Sequence, residues 1–273
     1  MKLSFTTLGC PDWDLETIVT NAKAYGYDGV DFRGLQGEME IYNLPEFSSR
    51  LEETKQQLRE AGLEITCFSS SVKLFNVEGH AANLEEITRY AKLCEQFGTR
   101  YIRVFGGRIG ETDRQEAARS MAQHLQDLSR IAKAHGVTLL LETHDDWLSH
   151  EDVSLLLDLA GNASIDVLWD VHHPYRMLSE QPEETWKALG SRIKYTHWKD
   201  SLPTGEQASD FRYCLTGEGD IPLKEIYRIL EQGGYDGWFT FEWEKKWHPD
   251  IHEPEVSLPQ YVEYMRKLEQ GLG

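Results

Sequence analysis

Short apolar runs rich in β-branched and aromatic residues alternate along the chain with longer segments whose apolar residues recur at helical spacing. The short runs predict eight strands, at residues 3–8, 29–34, 64–70, 101–107, 137–144, 165–172, 193–200 and 237–244. Glycine commonly ends a helix before the next strand. Four of the helical segments end in this way, at Gly26, Gly62, Gly98 and Gly136. Each predicted strand is therefore followed by a predicted helix.

This alternation indicates parallel strands joined by crossover helices. Eight repeats in about 250 residues are typical of a (β/α)8 TIM barrel, and we expect one such domain over residues 1–273. The competing doubly wound sheet usually carries a glycine-rich fingerprint after its first strand. Here that turn reads TTLGCPDW, the GGRIG segment at 106–110 does not fit GxGxxG, and there is no Walker A motif. The pattern therefore favours the barrel.

Ionisable residues end each of the last four predicted strands, which is where a barrel of this type carries its active site. In chain order these residues are Glu142 and His144, then Asp170, His172 and His173, then His197, Lys199 and Asp200, then Glu242 and Glu244. Several carboxylates at one depth repel one another unless a cation lies among them. Oxygen-rich ligands with one imidazole suit Mn²⁺, Mg²⁺ or Co²⁺, and Zn²⁺ is a further candidate. We therefore expect one divalent metal ion.

Five motifs, in their order and at these strand positions, resemble the sugar isomerase/epimerase family with a xylose-isomerase-like barrel. They are ETHD, WDVHH, HWKD, GEGDIPLKEI and GWFTFEWE, and the resemblance covers nearly the whole chain. It implies that one metal ion is held by Glu142, Asp170, His197 and Glu242, and Mn²⁺ is the first candidate for that ion. It further implies that Glu142 and Glu242 move the proton and that His173 contacts the substrate.

A site of this kind would act on a ketose or keto-sugar, whose C–H beside the carbonyl is acidic. One carboxylate removes that proton, the metal stabilises the enediolate, and a second carboxylate returns the proton. We expect Lys199, His144 and Arg33 to contact hydroxyls, a carboxylate or a phosphate. The ketose 3-epimerases carry an arginine six residues after the metal histidine, where this chain has Pro203. Lys199 is the candidate replacement, and the lack of a phosphate cradle favours a non-phosphorylated sugar.

Other interpretations remain open at this point. Glu142 could pair with Lys199, and Arg33 with Asp31 at a strand end. A metal-dependent dehydratase or lyase acting on an inositol or keto-sugar would use the same enolate chemistry. An endonuclease IV-like nuclease would need histidines at the ends of strands three and four, which read SSSVK and FGGRIG. A non-catalytic sugar-binding barrel is the third alternative. The candidates for an aromatic ring that stacks on a sugar face are Trp13, Trp243 and Trp247.

Composition and charge limit the classes of binding partner and the cellular compartment that we expect for this protein. The formal net charge is −18, from 28 basic and 46 acidic side chains, which disfavours nucleic-acid and anionic-membrane partners. The N-terminus lacks a signal-peptide pattern, and no apolar window is long enough to span a bilayer, so we expect a cytoplasmic protein with a small-molecule sugar substrate. The four scattered cysteines include no CxxC pair and are expected to be buried thiols. Barrels of the family often pair, so a homo-oligomer is open.

Overall fold

The computed structural model describes residues 1–75 and 78–272. Eight parallel strands close into a barrel in the order β1, β10, β7, β6, β5, β4, β3, β2. The barrel strands are β1 (Lys2–Thr6), β2 (Gly29–Phe32), β3 (Glu64–Lys73), β4 (Tyr101–Phe105), β5 (Thr138–Glu142), β6 (Ile165–Asp170), β7 (Ile193–Trp198) and β10 (Trp238–Phe241). The predicted (β/α)8 barrel is therefore confirmed.

Helices follow the barrel strands along the chain. They are α1 (Leu15–Tyr25), α2 (Leu51–Ala61), α3 (His80–Phe97), α4 (Arg114–Ala134), α5 (His150–Ala160), α6 (His173–Leu178), α7 (Pro182–Leu189), α8 (Leu223–Gln232) and α9 (Pro254–Glu269). The predicted glycine stops are confirmed at Gly26, Gly62 and Gly98, which cap α1, α2 and α3 in the left-handed conformation. After α4, His135 is the cap and Gly136 follows with φ 71°.

The chain divides into two compact units, residues 67–196 and residues 1–66 with 197–273. In the first, β5 pairs in parallel with β4 and β6. Its three leucines, Leu139, Leu140 and Leu141, are fully buried, as expected for parallel strands covered on both faces. In the second unit, β1 pairs in parallel with β2 and β10. Phe5 and Phe241 are register partners there, and both are fully buried.

Seven of the eight predicted strands end two or three residues earlier in the structure, the third extends to Lys73, and a hairpin is added. The sixth strand stops at Asp170 instead of 172, because the Asp170 carboxylate accepts the backbone N–H groups of His172 and His173 and turns the chain into α6. The seventh stops at Trp198 instead of 200. Asp200 then opens an antiparallel pair, β8 (Asp200–Pro203) with β9 (Phe211–Cys214), which the sequence pattern did not predict.

Asp200 fixes the loop that follows this hairpin. Its carboxylate accepts N–H groups from Gly217 and Gly219, at 2.9 and 3.0 Å. Burial raises the pKa of Asp200, and these backbone donors offset part of that rise. A Cβ added to Gly219 would lie 2.0 Å from an Asp200 oxygen. Gly219 of the GEGDIPLKEI motif therefore allows the backbone to approach this buried carboxylate.

The cysteine prediction is confirmed, since Cys10, Cys67, Cys94 and Cys214 are all free and buried. Within residues 1–75 and 78–272, no helix combines the length and the apolar composition needed to cross a bilayer.

Gly29 provides a test of the barrel packing. A Cβ at this first residue of β2 would lie 2.4 Å from Thr66 Cγ2 and 2.7 Å from the Glu64 carbonyl oxygen. We expect Gly29→Ala to lower the free energy of unfolding by about 1–3 kcal/mol, the usual effect of overpacking. The matched control is Gly233→Ala, at an exposed position after α8 with φ −78°. Urea unfolding curves of both variants give the comparison, and equal midpoints would contradict the packing argument.

Candidate metal centre

Glu142, the last residue of β5, is an almost fully buried carboxylate with 1% of its surface exposed. The neighbouring strand β4 supplies a positive partner, since Arg103 Nε lies 3.3 Å from Glu142 Oε2. Arg103 Nη1 also donates to the Ser70 carbonyl at 3.0 Å, and the guanidinium lies over the Phe105 ring at 3.8 Å. Sequence reasoning missed Arg103. The available signal was a lone cationic residue in the middle of the apolar strand YIRVF.

Asp170, the last residue of β6, is fully buried. Its Oδ1 accepts the His172 and His173 N–H groups, at 2.9 and 3.0 Å, and its Oδ2 lies 3.6 Å from His173 Nε2. The backbone turn therefore sets the orientation of the carboxylate. The His144 ring packs edge-on against His173, with centroids 4.9 Å apart. The His173 ring nitrogen therefore lies beside Asp170 Oδ2, and His172 offers a further ring nitrogen within 4.8 Å of the carboxylate.

His197, on β7, is fully buried between two carboxylates. Its Nε2 lies 3.2 Å from Asp31 Oδ2 and its Nδ1 lies 3.2 Å from Glu242 Oε1. The sequence interpretation considered Asp31 only as an ion-pair partner of Arg33, and the structure also places its carboxylate against His197. A carboxylate that binds one ring nitrogen orients the imidazole and directs its other nitrogen. Asp31 is therefore a second residue of the site that sequence reasoning missed.

Lys199 is fully buried and contacts Glu242 Oε2 and, at 2.8 Å, Glu244 Oε1. Tyr213 on β9 donates its hydroxyl to the same Glu244 oxygen at 2.9 Å. Burial raises the pKa of Glu242, but the positive charges of His197 and Lys199 outweigh this effect and hold the pKa well below its usual range. Glu242 is therefore ionised at neutral pH. Tyr213 was missed because the hairpin that carries it was not predicted.

The four residues that the motifs pointed to are all buried at or beside strand ends, Glu142 and Asp170 in residues 67–196 and His197 and Glu242 in the other unit. Within that other unit, His197 Nδ1 lies 3.2 Å from Glu242 Oε1. Within residues 67–196, Asp170, His172 and His173 form a group whose ligand atoms lie within 4.8 Å of one another. Three buried carboxylates and one imidazole suit a hard divalent cation. Their burial would be unfavourable without positive charge nearby, so the donor set fits a metal ion.

The structure also locates other residues that were predicted to contact the sugar. Arg33 follows β2 and lines a cleft with Thr7 and Lys246. Trp13 and Trp243 are buried, so neither offers a ring face to a sugar, whereas Trp247 is 54% exposed. Of the three tryptophans considered for stacking, Trp247 alone keeps that possibility.

A family model described as "Xylose isomerase-like TIM barrel" matches residues 19–268. The chain belongs to this family. The resemblance inferred from the motifs is thereby confirmed. The matched range includes the strands that carry Glu142, Asp170, His197 and Glu242.

Proteins that are similar to this chain in sequence or fold carry names that describe different activities. A fructoselysine 3-epimerase of Escherichia coli O157:H7 is 22% identical over 279 residues, covering 98% of each chain. The fold also matches the probable 3-DHS dehydratase AsbF of Bacillus anthracis, with TM-score 0.82, 18% identity, and 97% and 99% of the two chains covered. A structure of the IOLI protein with a bound zinc atom matches with TM-score 0.80 and 17% identity, over 100% and 98% of the chains.

The buried Arg103–Glu142 pair can be tested by unfolding. Removing one partner of a buried ion pair leaves an uncompensated charge, so we expect Arg103→Met to lower the free energy of unfolding by about 3–5 kcal/mol in chelator. The double variant, Arg103→Met with Glu142→Gln, should lose less free energy of unfolding than the sum of the losses in the two single variants. The control is Arg89→Met, whose pair with Glu85 is exposed and should contribute less than about 1 kcal/mol. Similar losses for both arginines would refute the assignment.

Proposed function

We propose that this protein is a divalent-metal-dependent sugar isomerase or epimerase that acts on a ketose or keto-sugar. The observation that carries this proposal is the set of buried carboxylates and imidazole at the carboxyl ends of barrel strands: His197 Nδ1 lies 3.2 Å from Glu242 Oε1, and Glu142 and Asp170 end the paired strands β5 and β6. The likeness to fructoselysine 3-epimerase along nearly the whole chain supports sugar epimerisation. The zinc atom in the IOLI protein supports a divalent ion.

The proposed ligands are these same four side chains. His197 would bind through Nδ1, which faces Glu242, while Asp31 holds Nε2. Asp170 would bind through Oδ2, since Oδ1 already accepts two backbone N–H groups. When bound, an ion here would stabilise the negative charge that develops on the substrate's carbonyl oxygen. Mn²⁺ fits the oxygen-rich set best, and Mg²⁺, Co²⁺ or Zn²⁺ are the alternatives.

Glu142 and Glu242 are the proposed acid/base pair. One carboxylate removes the proton from the carbon beside the carbonyl, and the other returns a proton from the opposite side. Return to the same carbon gives an epimer, and return to the adjacent carbon converts a ketose to an aldose. Arg103 orients Glu142, and Lys199 with His197 keeps Glu242 ionised. His173, His144, Lys199 and Arg33 are the proposed contacts to the sugar.

A dehydratase is the second candidate, supported by the fold similarity to AsbF along nearly the whole chain. It would begin with the same proton removal and then expel a hydroxyl from the next carbon. The mass of the product separates the two reactions, because only dehydration loses water.

Metal content tests the proposed ligands. Protein reloaded with Mn²⁺ or Zn²⁺ should hold about one ion per chain by mass spectrometry. Asp170→Asn and His197→Gln should each weaken binding by at least about tenfold. The matched control is Asp166→Asn on the same strand, because that carboxylate accepts the Arg192 guanidinium in a partly exposed pair. Unchanged metal binding in the Asp170 and His197 variants would refute the centre.

Uptake of solvent deuterium tests the chemistry. Keto-sugars incubated in D2O with the reloaded protein should gain deuterium beside the carbonyl, and Glu142→Gln and Glu242→Gln should slow this exchange by at least about 100-fold. Metal content measured on the same samples separates loss of the proton carrier from loss of the ion. Exchange that continues in both variants would contradict the acid/base assignment.

A further inference from the structure

A small cleft opens at the carboxyl end of β1, beside the candidate metal centre. Thr7, Arg33, Gly34 and Lys246 are among the residues that line it. Arg33 comes shortly after Asp31, which contacts His197, and Lys246 comes shortly after Glu244, which contacts Lys199. The room inside the cleft for the centre of a water-sized sphere is about 10 Å³, which is about the space of one water molecule. The cleft therefore admits one small polar group, and the rest of a larger ligand would lie outside it.

The backbone that carries both cations is fixed by the same turn after β1. The Thr7 hydroxyl accepts the Arg33 N–H at 2.9 Å and donates to the Gly34 carbonyl at 2.6 Å. The next residue, Leu8, accepts the Lys246 N–H at 3.1 Å. Gly34 has φ 85°, and a Cβ there would lie 2.9 Å from Met39 Sδ. These contacts hold Arg33 and Lys246 at the edges of one cleft without a ligand.

The charge of the cleft is opposite to that of its surroundings. The chain carries 46 acidic and 28 basic side chains, and the neighbouring centre buries several carboxylates. Lys199 and Lys245 each contact a glutamate carboxylate. Lys246 differs, because within residues 1–75 and 78–272 its side chain makes no ion pair and its ammonium instead lies 5.4 Å from the Trp247 ring centroid. Its charge thus remains available to a ligand.

We propose that this cleft binds an oxyanion group of the substrate, so that the keto-sugar of the proposed function is a sugar acid or a sugar phosphate. The inference rests on that proposed function. Arginine offers a planar fork that matches the two oxygens of a carboxylate or phosphate, and lysine adds a compact charge. An anion held here offsets the repulsion that an acidic substrate meets from Glu142, Asp170 and Glu242. The reacting carbon then lies toward the metal centre and the anionic end toward β1.

Three matched probes test the proposal: D-fructose, D-fructose 6-phosphate and D-fructuronate. Calorimetry on the metal-reloaded protein should show that at least one anionic probe binds about tenfold or more tightly than fructose. Arg33→Gln and Lys246→Gln should each remove about tenfold of that affinity, and Lys246→Gln should leave fructose binding unchanged. The control is Lys55→Gln on the exposed side of α2. Lys246 is partly exposed, so its variant keeps the test valid if Arg33→Gln fails to fold.

The outcomes separate this proposal from the proposed function. Preference for the phosphate or for the carboxylate supports the cleft and identifies the oxyanion. Equal binding of all three probes, or equal effects of Lys246→Gln and Lys55→Gln, overturns it, even where deuterium exchange proceeds. Charge-dependent binding without deuterium uptake retains the anion cleft and refutes the isomerase or epimerase assignment.

Discussion

This structure depends on compensating the negative charge of its buried carboxylates. Glu142, Asp170 and Glu242 are each 5% exposed or less, and an ionised carboxylate in such surroundings requires donors or positive charge. Each is met in a different way. Arg103 approaches Glu142, backbone N–H groups of a turn bind Asp170, and Lys199 with His197 meets Glu242. A bound cation would complete the compensation for all three at once.

The same requirement shapes the loops at the carboxyl ends of the strands. Asp170 ends β6 by binding the N–H groups that start α6, which places His173 beside it. Asp200 binds the backbone of the loop after β9, and β9 carries Tyr213 to Glu244. Loops that would otherwise be free to vary are thus tied to buried carboxylates. Thr7 and Leu8 act similarly after β1, where they fix the backbone of Arg33 and Lys246.

Much of the fold could be predicted from pattern alone, because parallel strands buried on both faces read as short apolar runs and helices read as longer periodic ones. The barrel and the glycine stops after α1, α2 and α3 were predicted correctly. The hairpin of β8 and β9 was missed, since it is stabilised by the contacts of Asp200 with residues far along the chain. Its local sequence has no strong alternation of apolar and polar residues.

The sequence by itself determined the barrel and the set of ionisable residues at the strand ends, because both follow from local periodicity and from the rule that parallel strands share one carboxyl edge. Only the tertiary structure decided which side chain meets which. Arg103 beside Glu142, Asp31 beside His197, and Lys246 in the same cleft as Arg33 come from distant parts of the chain. Such pairings depend on strand order and side-chain direction in three dimensions, so no spacing along the chain encodes them.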